Sequence, residues 1–374
     1  MYFKISRNQL LNAISIVSKA VSSNSPLPSL LGIKFDVYND KLELTGSDSD
    51  ITIKTVLSKS EDFVYQVYNE GSIVINKNYI VEIIRRIDSD VVDVEIIDGT
   101  LIKISGNNAE YNINATKPSE YPLIDLSKPT KEFSVSAIQL KKVISQTYFA
   151  SSIQETRPAL TGINICSNDG TLTCIATDSF RLAKKKITLD SEHDFNITVP
   201  CKSMVEISKI VGDDENIVVA LSDKKIQFIC ENTIVQARLI ESAYPDTDRI
   251  FPSVFECELV IDRKDLISAI DRQSLIKNES DSFSIIKFTV DNNEVVVSSK
   301  SQIIGSSMEK LEYVTYEGNE FNIAFSSKYI LDALKGLDGK LVNIKFGGEF
   351  KPFIITSVDD SSTYQLISPS KSSY

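Results

Sequence analysis

The first fourteen residues set a pattern that recurs along the chain. Apolar and polar positions alternate through Phe3-Lys4-Ile5, Ser6 follows, and Leu10, Ala13 and Ile14 then fall at helical spacing. This reads as a short strand, an N-cap serine and an amphipathic helix. Residues 133–144 repeat the pattern 130 residues later, and residues 259–270 repeat it after another 126, with Asp262 in the capping place. A second landmark keeps the same period: Val81-Glu82-Ile83, Val205-Glu206-Ile207 and Leu331-Asp332-Ala333 lie 124 and 126 residues apart. Each sits on a predicted helix entered from a short strand, at residues 73–75, 197–199 and 321–323. Between the paired helices, Asn39-Asp40-Lys41, Asn168-Asp169-Gly170 and Asp291-Asn292-Asn293 mark hairpins between alternating strands.

Three landmarks on one period establish an internal triplication. Each unit of about 125 residues holds two rounds of strand, helix and antiparallel strands, so the class is α+β with helices on one side of the sheets. Breakers set the linkers. Ser119-Glu120-Tyr121-Pro122 and Lys128-Pro129 close the first unit, and Ser242-Ala243-Tyr244-Pro245 through Phe251-Pro252 closes the second. The expected domains are 1–127, 128–252 and 253–374.

Composition narrows the chemistry. Among 374 residues there is one histidine, His193, no tryptophan and five scattered cysteines. No Ser-His-Asp triad, Cys-His pair or two-His metal site can form without His193, and its polar surroundings (Leu189 to Asp194) read as a surface loop. Cys166, Cys174, Cys201, Cys230 and Cys257 show no C-x-x-C spacing and read as reduced, mostly buried thiols. No phosphate-cradling glycine motif appears. With no leader-like start and no run of 18 apolar residues, the expectation is a cytoplasmic protein off the membrane, with neither metal nor cofactor.

The net charge of −11 argues at first against nucleic acid. The charge is segregated, however. The six predicted helices (6–20, 76–87, 136–149, 200–211, 262–277, 326–335) carry 15 basic and six acidic residues, a net of +9, which leaves −20 on everything else. If all six helices faced one way, that face would be positive and the other strongly negative.

Particular residues now point to a family. Ala176-Thr177-Asp178-Ser179-Phe180-Arg181-Leu182 resembles the T-D-G-H-R-L segment of the bacterial DNA sliding clamps, the beta subunits of replicative DNA polymerase III. Tyr244-Pro245-Asp246-Thr247-Asp248-Arg249-Ile250-Phe251-Pro252 is similar to their F-P-D-Y-x-R-V-x-P. Leu27-Pro28-Ser29-Leu30 and Leu366-Ile367-Ser368-Pro369 are similar to the early L-P-I-L and the terminal apolar-apolar-x-Pro. The likeness runs over the whole chain, threefold repeat included. It implies a head-to-tail homodimer of three-domain crescents, closed into a ring around duplex DNA with helices lining the hole. Simple geometry agrees. A 125-residue domain is about 36 Å across; three in a ring leave a hole about 6 Å wide, and six leave about 35 Å. A duplex about 20 Å wide passes only through six.

The resemblance also assigns residues. A pocket for short linear peptides of the polymerase catalytic subunit, the clamp loader, other polymerases and repair proteins would be lined by Leu160, Thr177, Ser179, Phe180, Arg181, Leu182, Pro245, Arg249, Ile250, Leu366, Ile367 and Pro369. Against Asp48-Ser49-Asp50-Ile51 of the first repeat, Asp178-Ser179-Phe180-Arg181 gains an aromatic and a guanidinium. The double-stranded DNA contacts would come from helix cations, Arg7, Lys77, Arg85, Lys141, Lys202, Lys209, Arg263 and Lys328, with Gln154. Ring closure would bring Tyr111 and Ile113 against Leu275 and Ile276. Departures from the family pattern are Ser179-Phe180 for Gly-His, Ser368 and Ser370 for larger apolar residues, Asn24 and Cys201 for arginines, Pro158-Ala159 for two aromatics, and the added tail Lys371-Ser372-Ser373-Tyr374. Two other classes compete: a protein-binding repeat scaffold without DNA, and an acid-dependent hydrolase working in a cleft between repeats. The single histidine, set in a polar loop, and the missing nucleotide loops weigh against the enzyme. The charge split weighs against the plain scaffold.

Overall fold

The computed structural model describes residues 1–22, 24–190, 192–213, 216–277, 284–291, 294–312 and 314–370. Six α-helices among them fall where the periodicity puts them: α1 (Arg7–Val17), α2 (Lys77–Arg86), α3 (Ala137–Thr147), α4 (Cys201–Ser208), α5 (Arg263–Gln273) and α6 (Ser327–Lys335). Helix α4 stops short of residue 211, because its end tightens into three-residue turns in which Lys209 and Ile210 N–H donate to Glu206 and Ile207 carbonyls. Asp262, Asn76 and Ser326 side chains accept helix N-terminal N–H groups, as capping requires. Ser6 does not. Its Oγ accepts the Val64 N–H at 2.9 Å, tying the first strand to a neighbouring segment instead.

Two short 3₁₀ turns, Pro28–Leu31 and Pro158–Thr161, lead into strands that begin with glycine. A Cβ on Gly32 would lie 2.6 Å from Val74 Cγ1, and one on Gly162 2.6 Å from Thr198 Cγ2. The strands approach too closely there for any side chain.

The chain forms two compact units, Met1–Ala137 with Val205–Leu239, and Ile138–Met204 with Ile240–Tyr374. The first and third repeats each fall whole into one unit, and the central repeat is shared. The first unit holds a five-stranded antiparallel sheet, ordered Tyr65–Asn69, Tyr2–Ser6, Val91–Asp98, Leu101–Gly106 and Ala109–Asn114. It also holds an eight-stranded sheet that crosses the repeat border where Thr233–Arg238 pairs with Ile51–Ser58. There the buried hydroxyls of Thr55 and Thr233 meet at 3.0 Å. Helix α1 lays Leu10, Ala13, Ile14 and Val17 on these strands.

The second unit repeats the plan. Its nine-stranded sheet crosses the border where Arg181–Thr188 pairs with Thr363–Ile367, and a four-stranded sheet ends on the edge strand Gly305–Lys310. Its apolar centre includes a chain of rings, Phe288 to Phe325 at 4.8 Å, Phe325 to Phe353 at 5.3 Å and Phe353 to Phe346 at 5.3 Å.

All five cysteines are free thiols, with Cys174, Cys230 and Cys257 buried. His193 lies half-buried in a loop. Among the described residues no helix is long and apolar enough to cross a membrane, and no group of acids, cysteines and histidine is placed to hold a metal. The Asn292-Asn293 turn and the tail 371–374 lie outside the described residues.

Candidate functional site

The aligned tetrapeptides of the first two repeats fold into the same turn. Asp48 Oδ1 accepts N–H groups from Asp50 and Ile51 at 3.1 and 2.9 Å, and Asp178 Oδ1 accepts those of Phe180 and Arg181, both at 3.0 Å. Ser49 and Ser179 sit in the left-handed region, at φ 84° and 79°, which suits glycine at both places. In each turn a preceding hydroxyl, Ser47 or Thr177, accepts the serine N–H and donates to the carbonyl of Ile51 or Arg181. The Tyr-Pro linkers match as well: Tyr121 donates to the Thr45 carbonyl and Tyr244 to the Ile175 carbonyl, each at 3.4 Å.

The two borders differ in what the paired strands show on one face. At the second border Leu182 lies directly opposite Leu366, and both are about 2% exposed. With Ile175 and Ile354 they form an apolar cluster, against which Tyr244, Phe251, Phe255 and Tyr364 pack. At the first border the register is the same: Thr233 opposite Thr55 corresponds to Thr363 opposite Lys185. The places of Leu182 and Leu366 are there held by Thr52 and Gln236. One framework thus carries an apolar floor at one border and a polar pair at the other.

Of the twelve residues expected in the pocket, the structure puts Leu182 and Leu366 in this floor. Phe180 is 62% exposed beside it, and its carbonyl accepts the Ser368 N–H at 2.8 Å. Pro245, Arg249 and Ile250 are exposed on the linker, with Arg249 paired to Asp246 at 3.3 Å, and Pro369 is half-buried. Ser179 Oγ accepts from Arg157 at 3.0 Å, and Thr177 is buried within the turn. Leu160 is buried outside the floor cluster.

Arg181 and Ile367 depart from expectation, because strand alternation turns them to the opposite face. Ile367 joins the core of the third repeat. Arg181, paired across from it, is buried between Asp178 at 3.0 Å and Asp332 of α6 at 2.6 Å, with the Phe149 and Tyr329 rings at 5.7 and 4.5 Å. It is a structural ion pair that holds the turn to α6. The alternation was readable in the sequence, and so were the Tyr-Pro linker and the Phe251-Pro252 pair, which could have pointed to the aromatic walls.

A cavity of about 500 Å³ opens beside the floor on the same face. Ile354, Tyr364, Phe251 and Phe255 reach from the cluster into its lining, and Lys184, Lys186, Lys345 and Asp248 stand around it. Lys184 bonds Asp248 at 2.9 Å and holds that carboxyl below its ordinary range.

The helix cations divide in two. Arg7 donates to the carbonyls of Ile84, at 2.9 Å, and Arg85, and Arg263 donates to those of Leu334 and Gly339 at 3.2 and 3.0 Å. Both close the C-terminal end of the second helix in their repeat, so these guanidiniums have an internal role. Lys77 donates to the Val21 carbonyl at 2.7 Å, Lys209 pairs with Glu206 at 2.9 Å, and Arg85 pairs with Glu82. Lys202, Lys328 and Gln154 are exposed, and Lys141 is half-buried. On the observed helices there are twelve basic and five acidic residues, a net of +7 against −11 for the whole chain.

The edge strand Ala109–Asn114 carries Tyr111 and Ile113, half-buried, and has a paired strand on one side only among the described residues. Gly305–Lys310 is likewise an edge strand, and Ile303, Ile304, Met308 and Leu275 near it are 55–78% exposed, with Ile276 half-buried.

Three sequence profiles match the chain in succession: DNA polymerase III beta subunit, N-terminal domain, over residues 1–125, central domain over 134–246, and C-terminal domain over 248–371. The beta sliding clamp of Staphylococcus epidermidis is 37% identical over 373 residues, covering 99% of both chains. That of Bacillus subtilis is 36% identical over 375 residues, again 99% of each. The crystal structure of the DNA polymerase sliding clamp from Bacillus subtilis superposes with a TM-score of 0.95, at 34% identity, over 100% of this chain and 99% of that one.

Proposed function

This chain belongs to the DNA polymerase III beta-subunit family, the sliding clamps, and is a processivity factor of DNA polymerase; from that premise we propose how its own residues do the work. The floor of Leu182, Leu366, Ile175 and Ile354 takes the apolar anchors of a short extended peptide. Phe180, Pro245, Ile250 and Pro369 form its rim, with Thr177, Ser179 and Arg249 around it. Through it the chain tethers the polymerase catalytic subunit, the clamp loader and other polymerases and repair proteins. The observation that carries this reading is the contrast between Leu182–Leu366 and Thr52–Gln236. A residue pair that served only to join strands would have no reason to change character between two borders of identical register.

Two chains close a ring by pairing the edge strand Ala109–Asn114 of one with Gly305–Lys310 of the other. The exposed Leu275, Ile303, Ile304 and Met308 support this, since an apolar sheet edge left in water invites pairing. The role on DNA is topological, cytoplasmic and non-catalytic. Exposed lysines such as Lys202 and Lys328, with Lys141 and Gln154, attract phosphate weakly without reading sequence, and the acidic remainder of the surface repels it. The domains act as three clamp repeats, 1–127, 128–252 and 253–374. Retention after loading tests the reading. The dimer should stay on circular DNA and run off linear DNA of equal length within minutes; equal loss from both overturns the topological mechanism.

A further inference from the structure

The lysine-rimmed cavity beside the floor shares Ile354 with the peptide pocket just described, but its lysines have no part in that pocket. Its position follows from strand geometry. Leu182, Lys184 and Lys186 share one face of a strand, as do Leu366 and Tyr364 on its partner, so successive lining residues are about 7 Å apart. An extended peptide lying on the floor advances at that same pitch, and two to four of its residues reach from the Leu182–Leu366 pair into the cavity. Ile354 and Tyr364 belong to both places, which makes the surface continuous.

The cavity's chemistry is that of an amphipathic anion site. Its walls are Phe251, Phe255, Tyr364 and Ile354, and three ammonium groups approach it against one lining carboxylate, Asp248. Lys184 is engaged by that carboxylate, which is itself 81% exposed and able to swing away. Lys345 reaches Glu258 at 3.4 Å and lies 5.9 Å from the Phe255 ring. Lys186 is exposed and forms no ion pair among the described residues.

We propose that this cavity receives an acidic flank of the same peptide whose apolar anchors rest on the Leu182–Leu366 floor, with Lys186 and Lys345 pairing its carboxylates; the proposal rests on the pocket reading and adds to it a preference for partners whose motif is flanked by Asp or Glu. At the first repeat border the strand keeps Lys54 in the place of Lys184 but has Val56 in the place of Lys186, one of the two lysines assigned to the flank.

The test compares fluorescent peptides by polarisation on the full dimer: a core with a Gln and terminal Leu-Phe anchors, the core with two acidic residues added on its N-terminal flank, the core with them on its C-terminal flank, and lysine-extended controls. One acidic extension should tighten binding five- to tenfold at low salt, with the gain shrinking at high salt. Lys186→Gln with Lys345→Gln should abolish that gain while leaving core affinity unchanged. If neither acidic extension binds better than the core, or if the gain survives the double substitution, the proposal is overturned. Loss of the gain to millimolar inorganic phosphate with core affinity intact would mark a free-anion site and overturn the peptide assignment. A chain that binds neither core nor extended peptide defeats the pocket reading as well, so the two failures are separable.

Discussion

Converting the second repeat border into a copy of the first is the sharpest perturbation the fold allows. The variant Leu182→Thr with Leu366→Gln gives it the pair that Thr52 and Gln236 form in the same register. A Leu or Phe anchor seated on the floor removes on the order of 100 Å² of apolar surface from water, about 2.5 kcal/mol at 25 cal/mol per Å². A polar floor loses most of that for one anchor and part for the second, a total of about 2–3 kcal/mol, so affinity for an anchor peptide should fall roughly 30- to 100-fold. Truncating buried leucines costs stability on the order of 2–5 kcal/mol each. The single variants are therefore measured beside the double, with circular dichroism to verify the folded state and size exclusion to verify the dimer. The first border shows that a sheet of this register accommodates the polar pair. Peptide binding by fluorescence polarisation and retention on circular DNA are read on the same preparations. The first should collapse and the second persist. A folded double variant that binds the peptide within threefold of the parent refutes the assignment of the floor.

Other expectations follow from the same structure. Charging the apolar edge, by Ile276→Asp or by Leu275→Asp with Met308→Glu, should yield monomers in sedimentation velocity; a dimer of unchanged mass would refute that edge as the closing surface. At Asp360, burial alone would raise the carboxyl pKa, but hydrogen bonds from Ser362, Lys185 and Thr363 outweigh it and hold the group well below the ordinary range. A carboxylate depressed on folding stabilises above its unfolded value of about 3.9 and loses that contribution as pH falls towards the folded value. Asp360→Asn should therefore lower the urea midpoint at pH 7 and lower it less at pH 3.5; a gap independent of pH would refute the linkage. Arg7→Gln and Arg263→Gln should each reduce thermal stability by about 1 kcal/mol while sparing DNA affinity. Lys202→Gln with Lys328→Gln should instead flatten the dependence of log DNA affinity on log salt by about one for each phosphate no longer neutralised, and an unchanged slope would remove these lysines from the DNA path.

The repeat, the helices and the strand entries were legible because period and amphipathicity are local properties. The turn at Asp178 was legible too, since its copy at Asp48 precedes it in the same chain. What the sequence concealed were choices made by partners distant along the chain. Nothing near Arg7 or Arg263 announces that their guanidiniums close helices some 70 to 80 residues away. Arg181 is expected in the pocket because it matches the arginine of the family's T-D-G-H-R-L segment. Only its pairing with Ile367 and its ion pair with Asp332 of α6 show that it faces the core. The lysine–aromatic cavity draws on four separate segments, from residue 184 to residue 364, and no window of sequence contains enough of it to be noticed.

The two leucines of the floor lie 184 positions apart. Ribosomes add about 5–20 residues per second, so roughly 10–40 s separate the appearance of one from the other. Throughout that interval the strand Arg181–Thr188 waits for its neighbour, and the docking surface has only one side. A chain whose synthesis has not yet passed Leu366, or one cut before it, would thus lack half of the floor on which the proposed peptide pocket rests.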